Sequence, residues 1–360
     1  MTSNLSPQQQ TNSGATREMG QLLDVRGLRT EIPTRRGVVR AVDGVDLVLH
    51  EGEVVGLVGE SGCGKTLTAY SILDLLPKPG VVAAGEIHFR GEDLRRKSTE
   101  ERRSIRGNDI GMIFQEPLSA LNPVFTVETQ IGDVLRTHTN LDSTAIKERV
   151  VELLGHVGIS APERVARSYP FELSGGMRQR ALIAMAIACS PALLIADEPT
   201  TALDATIQAQ IMVLLQTLVE EDGVSILLIT HDLALVAELC DRVYVMYAGT
   251  VVEMAPVEDL YVRPRHPYTS ALFQCIPGFQ PSDRPLAAIE GSVPMLIDVP
   301  PGCRFADRCP YVADRCRTET PPLVDIGAGH RAACHFADSL DLPGPASEHL
   351  EQDHDATTAY

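Results

Sequence analysis

The stretch Gly59-Glu60-Ser61-Gly62-Cys63-Gly64-Lys65-Thr66 constrains this chain more than any other. The apolar run Val54-Val55-Gly56-Leu57-Val58 precedes it and reads as a buried strand, while Leu67-Thr68-Ala69-Tyr70-Ser71-Ile72-Leu73 follows and reads as the first turns of a helix. A glycine loop between strand and helix is the setting in which G-x-x-x-x-G-K-[ST] binds phosphate. Glycine lets the loop backbone wrap closely round a triphosphate, so that its N–H groups and the helix N-terminus face the negative oxygens. Lys65 would then reach the β- and γ-phosphates, and the Thr66 hydroxyl would ligate Mg²⁺. On eight residues alone a glycine-rich turn remains the alternative, and the rest of the chain weighs against it.

At 360 residues the chain can bury a full core, with room for one large domain and a smaller appendage. Its 31 basic and 48 acidic residues give a formal charge of −17, which argues against a nucleic-acid binder. Residues 1–20 are rich in Gln, Asn, Ser and Thr and carry no apolar core, so a disordered tail is expected rather than a signal peptide. The longest apolar stretch, Ala181 to Ala196, is broken by Ser190-Pro191 and stops at Asp197-Glu198, too short to span a bilayer. Any membrane association is therefore expected to come through partners.

Antiparallel strands are expected over Asp24–Thr30 and Ala41–Leu49, with another over Gly85–Phe89. A polar, charged stretch from Glu92 to Asn108 leads to a short buried strand, Ile110–Gln115. From Thr126 to Val165 the apolar residues recur at helical spacing, which predicts a helical insertion of about 116–172. Apolar strands resume at Leu193–Ala196 and Ser225–Ile229, separated by a helix over Ile207–Glu220. Strands that are apolar throughout and alternate with helices imply a parallel sheet covered on both faces. Proline and loop residues gather near Pro256–Arg265, and a Cys/Pro-rich segment follows.

Further motifs follow in order. Phe114-Gln115-Glu116-Pro117 ends a strand with a glutamine, and Leu173-Ser174-Gly175-Gly176-Met177-Arg178-Gln179-Arg180 is a glycine turn opening a helix. Leu193-Leu194-Ile195-Ala196-Asp197-Glu198 is an apolar strand ending in two acids; Thr201-Ala202-Leu203-Asp204 and Thr230-His231-Asp232 come after it. With the phosphate loop, this arrangement resembles the ATP-binding cassette ATPases over roughly residues 22–265. The resemblance implies an α/β P-loop NTPase core, a parallel sheet with an antiparallel β-subdomain and a helical subdomain. It implies that Asp197 holds Mg²⁺, that Glu198 is the general base for the attacking water, that Gln115 contacts metal or water, and that His231 binds the γ-phosphate. It further implies that Ser174, Gly175 and Gly176 serve the ATP held by a second ATPase subunit, so that one chain is half of an engine, and that Asp204 is a further nucleotide-binding residue. The family normally stacks adenine on an aromatic residue before the phosphate loop, yet no Phe, Tyr or Trp lies between Gln21 and Gly59. Arg35 or Arg36 could lay a guanidinium on the base instead, or both could be exposed hairpin arginines.

Three stretches are similar to the oligopeptide/dipeptide (and related nickel) importer ATPases. They are Phe114–Pro123, Tyr169–Arg180 and Arg263-Pro264-Arg265-His266-Pro267-Tyr268-Thr269, and Phe171 stands where that family often has His. This resemblance implies a peripheral subunit on the cytoplasmic face of the cell membrane. Its partners would be another ATPase chain, two membrane-spanning permease subunits and an extracytoplasmic solute-binding protein. Nickel or another small solute is the alternative cargo. A soluble cassette acting on DNA or ribosomes is a rival, but this chain has neither long coiled coils nor two cassettes. A regulatory cassette that binds nucleotide without hydrolysing it is a second rival, and the intact Lys65, Asp197, Glu198 and His231 argue against it.

Cys303, Cys309, Cys316 and Cys334 are separated by five, six and seventeen residues. Four thiolates in so short a segment can close round one centre, with His330 and His335 as substitute ligands. The lack of a C-x₂-C knuckle tilts the reading toward a [4Fe–4S] cluster over Zn²⁺, and four buried thiols remain the alternative. The expected layout is a disordered tail over 1–20, the cassette over 21–265, a Cys/Pro-rich appendage over 266–336 and an acidic disordered tail over 337–360.

Overall fold

The computed structural model describes residues 20–116, 120–201, 203–276, 288–294, 296–297, 299 and 301–345. Residues 1–19, Pro117-Leu118-Ser119, Ala202 and 346–360, on which some of the expectations fall, lie outside the described residues. The chain opens with β1 (Gln21–Thr34), β2 (Gly37–His50), β3 (Val54–Val58), α1 (Lys65–Ile72), β4 (Val81–Phe89) and β5 (Glu92–Asp93). β1 and β2 are longer than the alternation in the sequence suggested, and they join β4 and β5 in a four-stranded antiparallel sheet ordered β2-β1-β4-β5. Its inner face is built from Leu23, Val25, Leu28, Val45, Leu47 and Leu49, all fully buried.

Beyond it come α2 (Thr99–Ile105), β6 (Ile110–Ile113), α3 (Val127–His138), α4 (Ser143–His156), α5 (Pro162–Arg167), α6 (Gly175–Ala186), β7 (Leu193–Asp197), α7 (Ala205–Glu220), β8 (Ser225–Thr230), α8 (Leu233–Leu239), β9 (Arg242–Tyr247) and β10 (Thr250–Pro256). Strands β9-β3-β8-β7-β6 lie side by side and parallel, with β3 between β9 and β8. Every residue of β3, β7 and β8 is buried. Successive residues of β3 serve opposite sides: Val54 and Val58 pack with the helices α3 to α8, and Val55 and Leu57 pack with α1 and the antiparallel sheet. This two-sided cover explains why these strands read as unbroken apolar runs. Among the described residues no helix is long and apolar enough to cross a membrane.

Three expectations change. The stretch Glu92–Asn108 holds β5, a 3₁₀ turn over Leu94–Arg96 and α2, whose Ser98 and Glu101 form a reciprocal N-terminal cap. Pro256–Arg265 contains the helix α9 (Val257–Val262), because Pro256 stands at the cap position where a missing N–H costs nothing and Pro264 lies beyond the helix end. The Cys/Pro-rich segment is not a body apart. After α10 (Pro267–Gln274) and α11 (Asp314–Thr318), β11 (Val324–Gly327) and β12 (His330–Ala332) extend the main sheet to eight strands, β12 pairing antiparallel with β10. Nor is 337–345 disordered: Ala337 and Leu342 are buried, and Ser270 Oγ donates to the Pro343 carbonyl at 2.8 Å.

Candidate functional site

The phosphate loop leaves the central strand β3 and enters α1 through Gly64, whose φ of 110° caps the helix. Gly59 and Gly64 cannot be replaced without moving backbone, because an added Cβ would stand 2.1 Å from the Met246 carbonyl oxygen or 2.4 Å from that of Ala41. Lys65 is only 5% exposed and curls back over the loop, its Nζ donating to the carbonyls of Gly59 (2.8 Å) and Glu60 (3.1 Å). Cys63 is buried, and burial pushes its thiol up.

Two acids at the end of β7 face this loop. Asp197 is fully buried, and its Oδ1 accepts a hydrogen bond from Thr66 Oγ1 at 3.1 Å. Its Oδ2 is buried with no partner among the described residues. Burial raises its pKa to about 6, the Thr66 hydrogen bond working against that rise. A buried carboxylate oxygen left open beside a hydroxyl fits a divalent cation, for which bound phosphate and water would complete the shell.

Glu198 adopts φ 47° and anchors its own N–H on the Ile229 carbonyl of β8. Its Oε2 accepts from Gln115 Nε2 (3.0 Å) and Thr201 Oγ1 (2.8 Å), and its Oε1 lies 3.2 Å from His231 Nδ1. Burial pushes the carboxyl pKa up, but the hydrogen bonds from Thr201 and His231, helped by the charges of His231 and Lys65, hold it below the ordinary carboxylate range. The fold thus gathers Lys65, Thr66, Asp197, Glu198, Gln115 and His231 from four separate stretches. Thr201, quoted in the sequence only as the start of a motif, joins them through its bond to Glu198.

Ser174, Gly175, Gly176 and Asp204 form another group. Ser174 is exposed and caps α6 by accepting from the Met177 N–H at 3.3 Å, while Asp204 caps α7 through the Ile207 N–H at 3.0 Å. A Cβ on Gly176 would meet Ile207 at 2.9 Å, so α6 and α7 approach each other here. Among the described residues no hydrogen bond or ion pair ties this group to the phosphate loop. Arg35 and Arg36 are exposed at the β1–β2 turn.

All eight cysteines are free thiols. Cys303, Cys309, Cys316 and Cys334 line one cavity whose remaining wall is mainly apolar, from Pro267, Phe305 and Phe336. Burial, then the neighbouring thiols, lifts Cys309 and Cys334 to about 11 each. His335 borders the cavity, with its Nε2 2.9 Å from the Glu319 carbonyl oxygen. His330 is not among the residues lining that cavity; its Nε2 lies 2.7 Å from the buried Glu253. Among the described residues no group of three or more His, Cys, Asp or Glu side chains is gathered so as to hold a metal ion. The expected cluster therefore rests on the convergence of four soft donors alone.

The family model for ABC transporters matches residues 42–201, and that for the oligopeptide/dipeptide transporter C-terminal region matches residues 252–316. A probable peptide ABC transporter ATP-binding protein of Sinorhizobium fredii is 50% identical over 87% of this chain and 94% of its own length. An oligopeptide transport ATP-binding protein of Bacillus subtilis is 48% identical (88% and 97%), and a dipeptide transport ATP-binding protein of Escherichia coli is 46% identical (88% and 96%). Among solved structures, a dimeric ATP-binding cassette in a post-hydrolysis state with ADP and Pi superposes with a TM-score of 0.60 at 28% identity, over 66% of this chain and 99% of that one. With its glycine loop, paired acids and glycine-opened α6 in one fold, and with relatives matched nearly end to end, the chain belongs to the ABC transporter ATP-binding proteins.

Proposed function

We propose that this chain is the ATP-hydrolysing subunit of an importer for oligopeptides or dipeptides. The observation that carries hydrolysis is the Glu198 carboxylate, contacted by Gln115, Thr201 and His231 and held below the ordinary carboxylate range chiefly by its bonds to Thr201 and His231. The peptide cargo is inferred from the relatives. The N–H groups of Gly59, Glu60, Ser61, Gly62, Cys63 and Gly64 cradle the phosphates, and Lys65 pairs with the β- and γ-oxygens. Thr66 and Asp197 would hold Mg²⁺, with Gln115 at the metal or the water; bound there, Mg²⁺ would neutralise phosphate charge. Glu198 accepts a proton from the attacking water, and His231 steadies the γ-phosphate.

Ser174, Gly175 and Gly176 serve the nucleotide of a second ATPase subunit, and Asp204 is a further nucleotide-binding residue; the exposed Ser174 and Asp204, with no bond to this chain's own loop among the described residues, support that reading. Two permease subunits and an extracytoplasmic binding protein complete the machine, with this chain peripheral on the cytoplasmic face. The helical stretch 116–172 passes the motion to the permeases. Cys303, Cys309, Cys316 and Cys334 would hold a [4Fe–4S] cluster as a structural brace, a reading supported by the four thiols that line one cavity, with Zn²⁺ as the alternative.

The test is reconstitution of the chain with its permeases, partner ATPase and binding protein in vesicles, prepared without oxygen. Peptide uptake that requires ATP, and ATPase activity stimulated by loaded binding protein, are expected. Uptake of nickel alone, or ATPase indifferent to the membrane subunits, would overturn the assignment. The same preparation is expected to hold about four irons and four sulfides per chain. Zinc, or no metal, would refute the cluster.

A further inference from the structure

Glu60 is the one acidic residue within the phosphate loop Gly59–Thr66. A free carboxylate there would oppose the anion that the loop is built to bind. Arg308, 248 residues away in sequence, meets it with a two-pronged pair: Nη1 donates to Oε2 at 2.7 Å and Nη2 to Oε1 at 3.0 Å. The other guanidinium hydrogens are also placed. Nε donates to the Glu290 carbonyl (2.9 Å), Nη2 to that of Ile289 (3.1 Å) and Nη1 to Tyr247 Oη (3.3 Å). Five donors therefore find five acceptors, in a side chain only 5% exposed that lies near the rings of Tyr247 and Phe305. The backbone of Glu60 is held from the same side, its N–H donating to Oη of the fully buried Tyr268 at 2.8 Å.

We infer that Arg308 is a positioning residue of the phosphate loop: it cancels the Glu60 charge and, with Tyr268, fixes the loop backbone for the incoming triphosphate. The C-terminal segment thereby sets the affinity for ATP. A guanidinium suits this task better than an ammonium, because only the planar fork meets both carboxylate oxygens while its remaining hydrogens stay bonded. This rests on the proposal that the loop binds ATP.

The experiment measures ATP binding and steady-state hydrolysis on the full chain in its transporter. Parent and Lys65→Ala come first. If the parent binds no ATP, or Lys65→Ala binds as well as the parent, the reading of the loop fails and the inference falls with it. Given a parent that binds and a Lys65→Ala that does not, Arg308→Met is expected to raise KM for ATP about tenfold with little change in kcat. Adding Glu60→Gln to Arg308→Met is expected to bring KM back to within about threefold of the Glu60→Gln value, since the charge left behind is gone. A merely structural clasp would not be rescued, because the packing lost with Arg308 stays lost. Parent-like KM in Arg308→Met, or no rescue, overturns the inference. If Arg308→Met does not fold, Arg308→Lys decides: a KM raised about threefold or more supports the inference, and a parent-like KM refutes it.

Discussion

Glu198 shows what a single side chain must do here. Its carboxylate accepts from Gln115 and Thr201 and faces His231, so its orientation is fixed before any water arrives. Glu198→Gln keeps the shape and removes the proton acceptor. Turnover is expected to fall about 10²–10⁴-fold while ATP binding persists, so that ATP-bound dimer accumulates on size-exclusion chromatography. Hydrolysis at the parent rate would show that Glu198 is not the base. Asp197 and Glu198 were legible in the sequence because an apolar strand stops on two charges, which marks the end of a buried strand. Thr201 was legible only as the start of Thr201-Ala202-Leu203-Asp204; its bond to Glu198 appears only when the loop folds back on that carboxylate. Arg308 was hidden for a stronger reason. Its partner Glu60 is 248 residues distant, and no local spacing can report such a pair.

Elements were legible where both faces of a strand are buried, as in β3, β7 and β8, or where an apolar stripe recurs at helical spacing, as in α3 and α4. β10 escaped because Glu253 interrupts its apolar run. The structure explains the exception: Glu253 is fully buried, accepting from the backbone N–H groups of Arg265 and His266 and meeting His330. The helix α10 shows a related device. α10 begins on His266, 1% exposed, whose Nδ1 accepts from the Tyr268 N–H at 3.1 Å. Burial lowers its pKa from 6.5 to about 3. A neutral ring is thus favoured in the folded state: the stabilisation is complete above pH 6.5, where the unfolded chain is also neutral, and drains away as pH falls toward 3. The loss is at most about 1.4 kcal/mol per pH unit for one proton. His266→Asn keeps a capping acceptor without the titration. The difference in urea midpoint between parent and variant is expected to shift in the variant's favour between pH 7 and pH 5. A difference that does not change with pH would show that His266 carries no such linkage.

At the scale of the molecule, the sequence suggests a cassette ending near Arg265 with a small appendage behind it, whereas the structure puts the two segments in one sheet. β12 pairs with β10, Phe305 packs edge-on against Tyr247, and the C-terminal segment supplies Tyr268 and Arg308 to the phosphate loop. Composition could not reveal this, because a run of prolines and cysteines looks alike whether it stands apart or completes a neighbour's edge. A chain ending at Arg265 would leave Glu253 buried without His330 or the His266 N–H, leave β10 an open edge and leave Glu60 an unpaired charge. Losing the partners of a buried carboxylate costs about 3–5 kcal/mol, enough with the exposed edge to lower the melting temperature by about 10 °C or more. The truncated chain is therefore expected to be aggregation-prone and poor in ATP binding beside the full chain under identical conditions. If it instead melts where the full chain does and binds ATP as tightly, then the C-terminal segment is dispensable to the cassette. The shared sheet would in that case be a docking arrangement between two independently stable units.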